Sequence, residues 1–338
     1  MHQMHCNTLK AILCGAFLLP LPFSSALQAE TNSITKDNPT TTWTASAAKH
    51  VYGFPEITAG KTGMLTLNAD TLIFTNKSAN SSIPRSSILA VSNGSDRVEL
   101  WGTTGRLVRM AIPKGGGLAA AAVMHHRVGM LTVDFVDVRG GKHSAVFNMP
   151  PSQAEAGLTM FSQIPVSSQP PVATDPCAGK PASLGSVLVA SPNWEHAQVP
   201  AAYRALVYEH VVNRLQGVKG VSHAYRDGEV PADGACPAYT VSISIRTFRQ
   251  GNQIKRATLG PLGMFFGTTQ AAFDFKLTDA SGNLNQSEQI KAAIRGESES
   301  TEVADKFAKN LAKHYVASLK SEEATAQRVQ PIVQNSFR

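Results

Sequence analysis

The chain has 338 residues, 43% of them hydrophobic and 16% charged, with a formal net charge of +7 and no run of lysines or arginines. At roughly 150 residues per domain this length suggests two domains. The composition suffices for sizeable cores and excludes a collagen, a coiled coil, a disordered charged hub and a multi-span membrane protein.

Residues 1–29 hold one lysine, Lys10, and no acid. An apolar stretch from Ala11 to Phe23, interrupted by Pro20 and Pro22, leads to Ser24, Ser25, Ala26 and Ala29. This is the layout of a secretory signal peptide, too short in its apolar run to span a bilayer. Cleavage after Ala26 or after Ala29 fits, with Ala29 preferred. The expected location is the periplasm or the extracellular space. Leu13 beside Cys14 fits a lipobox badly, so Cys14 is expected to leave with the signal, as Cys6 does. Cys177 and Cys236 remain. An oxidising compartment and an even count argue for one disulfide between them, against the alternative of two separate buried thiols. Such a bond would close a loop of about 60 residues, contributing about 4 kcal/mol before strain.

Residues 30–42 are rich in Thr, Ser and Asn and read as a flexible arm. From Thr62 the pattern is of short strands. Met64, Leu65 and Leu67 precede a turn at Asn68-Ala69-Asp70, and Leu72 to Phe74 follow. Ile88–Val91 and Val98–Leu100 read as two further strands, so a small antiparallel barrel or sandwich is expected. The clearest hairpin is 130–149, where Leu131, Val133 and Phe135 alternate with Thr132 and Asp134. A turn about Gly140 would set Phe135 opposite Ala145 and Val133 opposite Phe147. A short helix over 153–161 closes this module, 43–162.

Five prolines between Pro165 and Pro181 predict a semi-rigid linker, 163–182. The second module, 183–320, begins with a strand over Ser186–Ala190. Pro200 opens a helix in which Val199, Tyr203, Leu206, Val207, Val211 and Leu215 recur at helical spacing. Strands are expected over Val221–Tyr225, around Val241–Ile245, around Phe273–Leu277, and from the Ser281-Gly282-Asn283 turn to Ile294. A final helix carries Val303, Phe307, Leu311 and Leu319, with Ser300 or Thr301 as its cap. Two helices over one face of a mostly antiparallel sheet make a two-layer α/β sandwich. Residues 321–338 read as a frayed polar tail. The fold class is therefore α+β.

Gly60-Lys61-Thr62 lacks the upstream glycine of a phosphate loop, because position 55 is proline. Gly115-Gly116-Gly117 has no βαβ unit around it and reads as a loop. His125 and His126 would point to opposite faces of a strand, and no ligand set lies nearby, so no metal site is expected. His143 is read as a structural contact with Asp137. Asn76, Asn80, Asn93 and Asn285 begin Asn-x-Ser sequons, which would be glycosylated surface sites in a eukaryotic host and incidental otherwise. No nucleophile elbow, zinc-protease helix or reactive Cys–His signature is present.

Two stretches lack acids altogether. Residues 102–127 carry Arg106, Arg109, Lys114 and Arg127 around the apolar Leu118–Met124, and 234–273 carries Arg246, Arg249, Lys255 and Arg256 around Met264-Phe265-Phe266. Cationic flanks about an apolar tip suit an anionic membrane surface or an acidic partner. The alternative is that the tips fold into cores while the bases stay solvated. The candidate binding residues are Arg106, Arg109, Arg127, Arg256, Met264, Phe265 and Phe266. No cofactor and no nucleic acid are expected.

The run Trp101-Gly102-Thr103-Thr104-Gly105, then Arg109-Met110-Ala111-Ile112-Pro113, Gly115-Gly116-Gly117 and the hairpin with Gly140-Gly141-Lys142-His143 resembles a family of bacterial secreted proteins. Their N-terminal part is similar to pleckstrin-homology or GRAM-like domains, strand barrels closed by a helix. Residues 183–320, with Lys255-Arg256, the 260–267 loop and Asp279-Ala280-Ser281-Gly282, resemble an uncharacterised bacterial envelope domain family. The resemblance implies fold and compartment and brings no catalytic residues. Phosphoinositide binding, common among pleckstrin-like domains, does not carry over to a periplasm. The function expected is a non-enzymatic envelope protein acting by binding a partner or membrane surface. The alternative is a hydrolase or transferase with its site between the two modules.

Overall fold

The computed structural model describes residues 42–99, 125–162, 181–231, 234, 236–251, 268–280, 284–294, 299 and 301–334. The fold is mixed α+β and mostly strand: a curled antiparallel sheet, a half-barrel, and a second sheet with helices.

The first sheet is formed by β1 (Trp43–Tyr52), β2 (Thr62–Leu67), β3 (Thr71–Thr75), β4 (Asn80–Pro84), β5 (Ile88–Glu99), β6 (His125–Val136) and β7 (Lys142–Met149), in the order β4-β3-β2-β1-β7-β6-β5. Its inner face is sealed by Leu65, Leu67, Phe74, Val133, Ala145 and Phe147, all fully buried. Helix α1 (Pro151–Ser162) lies against β1, β5 and β6. It can do so because Gly157 leaves room for the Trp43 ring, which a Cβ would meet at 2.7 Å.

The second sheet has the order β12-β11-β10-β8-β9, from β8 (Ala182–Val189), β9 (His223–Arg226), β10 (Cys236–Arg249), β11 (Thr269–Asp279) and β12 (Asn285–Ile294). Helix α2 (Ala201–Gln216) starts directly after Pro200, whose φ of −56° suits that position. Helix α3 (Glu302–Gln334) packs on α2, β11 and β12.

Several expectations are corrected. The hairpin pairs Val133 with Ala145, Leu131 with Phe147 and Phe135 with His143, two residues away from the register expected. The reason is a wider loop: Asp137 N–H donates to Gly141 O, and Asp137 Oδ1 accepts the N–H groups of Arg139 and Gly141. The turn therefore centres on Arg139, and the parity of the faces survives the shift.

β5 is one strand where two short ones were expected, because β6 pairs with it without a break from Ala90 to Glu99 and holds the turn-like Asn93-Gly94-Ser95-Asp96 extended. β1 and β4 were not anticipated. The second sheet is half parallel rather than mostly antiparallel, since β8 runs parallel to both β9 and β10. The first strand of that sheet begins at Ala182, the last residue assigned to the linker. Helix α3 continues to Gln334 through the segment read as a frayed tail.

Candidate functional site

Helix α2 belongs to both sheets. Its residues Leu206, Val211 and Leu215 join the core of the second sheet, and that same core takes in Met130 of β6 and Val146 of β7. In β5–β7, alternation places Ala90, Ser92, Asp96, Met130, Thr132, Asp134, Ser144, Val146 and Asn148 on the outer face, and α2 packs on part of it, leaving Ala90 exposed. A helix buried on opposite sides needs apolar residues nearly all round, and α2 has them.

The exception inside α2 is Glu209, 3% exposed. Arg226, at the end of β9, grips it with two parallel bonds, Nη1 to Oε1 at 2.9 Å and Nη2 to Oε2 at 2.8 Å. The N–H of Ser144 donates to Oε1 at 2.8 Å, and Arg226 Nη1 also donates to the Lys142 carbonyl at 3.1 Å. The ion pair thus ties β9, α2 and β7 together. Burial would lower the Arg226 pKa, but the Glu209 charge and hydrogen bonds outweigh it and hold it above its ordinary range.

Around this pair the seam is knitted further. Asp227 Oδ2 accepts from Lys142 Nζ at 2.7 Å and Ser191 Oγ at 2.6 Å. These bonds overcome burial and keep its carboxyl below the usual range. The Asp227 N–H donates to the Tyr208 hydroxyl, which donates to Val189 O. Glu229, also buried, accepts from the Arg226 N–H and meets Arg139 at 2.8 Å and His223 at 3.1 Å. The 137–141 turn meets the turn after β9 backbone to backbone. A Cβ on Gly140 would sit 2.7 Å from Gly228 O, and both glycines have positive φ.

Between the outer face of β5–β7, the loop after β8 and the first turns of α2 is a cavity of about 330 Å³. Its polar wall includes Asp134, Ser144, Lys142 and Arg204, and the rings of Trp194 and Tyr208 line it as well. Burial pushes the Asp134 carboxyl up, against a 2.6 Å bond from Ser144 Oγ and the nearby Arg204 charge. His143 contacts Asp137 at 3.3 Å, as expected, and stacks on Phe135. Burial, reinforced by the Arg226 charge, lowers its pKa.

Of the residues singled out from sequence, Arg127 is exposed on β6 and donates to Ser95 Oγ at 3.1 Å. Arg106, Arg109, Arg256, Met264, Phe265 and Phe266 lie outside the described residues. Cys236, buried at the head of β10, is disulfide-bonded, and Cys177 lies outside the described residues. Among the described residues, no group of three or more His, Cys, Asp or Glu could hold a metal ion. No helix there is long and apolar enough to cross a membrane.

The Glu209–Arg226 pair was missed from sequence. The available signal was a lone carboxylate in the apolar run from Leu206 to Val212.

No family model matches the chain, and no curated protein matches it. Among solved structures, the PelC dodecamer from Paraburkholderia phytofirmans is similar at 19% identity, over 39% of this chain and 89% of that one, with a TM-score of 0.28. The hypothetical protein CT253 from Chlamydia trachomatis is similar at 12% identity, over 40% of this chain and 96% of that one, with a TM-score of 0.26.

Proposed function

We propose that the chain is an exported envelope protein, processed near Ala29, that acts by binding an anionic membrane surface or an acidic envelope partner. Its first module is read as pleckstrin-homology/GRAM-like and its second as a two-layer α+β domain, with Cys177 as the partner of Cys236.

One observation supports the reading above others. The two acid-free stretches are rooted in two-stranded ribbons: β5–β6 pair as far as Glu99 with His125, and β10–β11 as far as Arg249 with Gln270. Both ribbons reach the same residue near their ends. Tyr203 donates from its hydroxyl to Asp96 Oδ2 at 3.3 Å and packs its ring edge-on to Phe248, with centroids 5.1 Å apart. The ribbons from which the two cationic stretches leave thus both touch the start of α2, which supports reading their charges as acting jointly.

The test is co-sedimentation of the processed chain with vesicles of phosphatidylcholine alone or mixed with phosphatidylglycerol, beside capture from envelope extract. Binding that needs the anionic lipid, or one reproducible acidic partner, is expected. Exchanging Arg106, Arg109 and Arg256 for Glu should abolish it, as should Phe265→Ser with Phe266→Ser, with the melting temperature held. Loss of folding in the phenylalanine variant would make those residues core and remove them from the binding surface.

For the alternative, an enzyme with its site between the modules, the seam cavity is a candidate place. There the Ser144 hydroxyl donates to Asp134 and His143 contacts Asp137, so among the described residues these two side chains do not pair with each other.

A further inference from the structure

The seam cavity carries two opposite charges that do not close on each other. Arg204, on the first turn of α2, is exposed, and its guanidinium makes no ion pair or hydrogen bond with a described residue. Asp134 faces the same space from β6. One of its oxygens holds the Ser144 hydroxyl, and the other has no hydrogen-bond partner among the described residues. The other lining cation, Lys142, is engaged by Asp227 and is not available in the same way. Trp194, half-buried, supplies a ring wall.

We propose that this cavity binds a small zwitterion of the amino-acid type, its carboxylate on Arg204, its ammonium on Asp134, and its apolar part against Trp194. The chemistry follows from what each group lacks. A guanidinium presents a planar fork of donors that fits a carboxylate with two parallel bonds. An oxygen of a partly buried carboxylate without a donor favours a cationic N–H, which also compensates for its desolvation. A singly charged ligand would satisfy one of these groups and leave the other bare, whereas a dipolar ligand satisfies both. A volume of about 330 Å³ is at the small end of ligand sites and matches a molecule of this size. The walls come from the first sheet, the loop after β8 and α2, so the ligand would also bridge the seam.

This inference stands apart from surface binding, and failure in the vesicle assay would leave it intact. Calorimetric titration of the full processed chain with L-alanine, L-leucine and L-phenylalanine, beside propionate and propylamine, tests it. At least one amino acid should bind, and the singly charged analogues should bind at least about tenfold more weakly. Arg204→Gln and Asp134→Asn should each weaken amino-acid binding at least about tenfold. Arg204 is exposed, so Arg204→Gln should fold normally and can decide the matter alone if Asp134→Asn does not. Absence of heat with all three amino acids, binding unchanged by Arg204→Gln, or propionate binding as tightly as alanine would each overturn it.

Discussion

The two faces of β6–β7 are built to different rules. The inner face carries Leu131, Val133, Phe135, Ala145 and Phe147, and it closes against its own sheet and α1. The outer face is only partly covered and chemically mixed, with Met130, Thr132, Val146 and Asn148 buried and Asp134 and Ser144 half-buried. It mates Met130 and Val146 with α2, yet buries the Ser92 and Thr132 hydroxyls and the Asn148 side-chain oxygen without hydrogen-bond partners among the described residues. Each such orphan costs about 1–3 kcal/mol. The inner face has the chemistry of a core and the outer face that of an interface between two surfaces, held in register by directional charged bonds. Stability should come mainly from the inner face and the apolar part of α2, and geometry from the Glu209–Arg226 seam.

The largest effects should come from the two aromatic cores. Phe147→Ala in the first sheet and Phe273→Ala in the second each remove a fully buried ring and should destabilise by about 3–5 kcal/mol. Because α2 joins both sheets, both changes should shift one common unfolding transition in urea. Two separate transitions, each moved by one variant, would mean that the outer face is a weak contact.

Breaking the seam pair comes next. Glu209→Ala leaves the Arg226 guanidinium and the Ser144 N–H without their acceptor, a loss of about 3–5 kcal/mol. The double change Glu209→Leu with Arg226→Met should recover most of it, because no charge is then left uncompensated. A double variant no more stable than Glu209→Ala would assign the pair a stabilising role beyond alignment.

These variants also mark what could be read from sequence. The inner face was legible, because its alternation in β6 and β7 is set by local pleating, and a two-residue slip does not exchange faces. One stripe of α2 was legible for the same reason, from Tyr203 to Leu215. The outer face was not. Thr132, Asp134 and Ser144 have the composition of a wet face, and the helix that dries them begins more than fifty residues later. The register failed at Asp137, whose side chain, rather than the glycines, organises the loop. β1 escaped notice because its alanines, Ala45 and Ala48, are too small to give a hydrophobic period although both are fully buried.

Acid offers a smaller, graded test of the same contrast. Three imidazoles have pKa values lowered chiefly by burial: His50 in the inner core, and His143 and His210 at the seam. His50 accepts the Phe54 N–H at Nε2, at 3.0 Å, which requires the neutral ring. For a lowered pKa the unfolded chain takes the proton first. Their stabilisation is therefore complete above the unfolded value of about 6.5, falls as pH drops below it, and levels off beneath the folded values. Asp134, whose pKa is raised, works in the opposite sense. Urea midpoints measured from pH 8 to pH 5 should decline, and replacing His143 and His210 by Gln should remove the seam's share while His50 keeps the remainder. A profile unchanged by the double replacement would place the whole acid response in the inner core.

The smallest effect is expected at the tip of the same hairpin, where neighbouring residues differ most. Val138 is fully solvent-exposed, an apolar side chain that touches neither face. Asp137 beside it accepts the Arg139 and Gly141 N–H groups, and these bonds keep its carboxyl below the usual range despite burial. Val138→Ser should change stability by no more than about 0.5 kcal/mol. Asp137→Ala removes the acceptor that sets the wide loop and should cost about 1–2 kcal/mol. It should also loosen the contact of that loop with the turn at Gly228, visible as faster amide exchange at Val230, whose N–H donates to Arg139 O at 2.8 Å. If Val138→Ser proved as costly as Asp137→Ala, the exposed tip would have to be covered in the native protein, and the outer surface of this turn would belong to an interface.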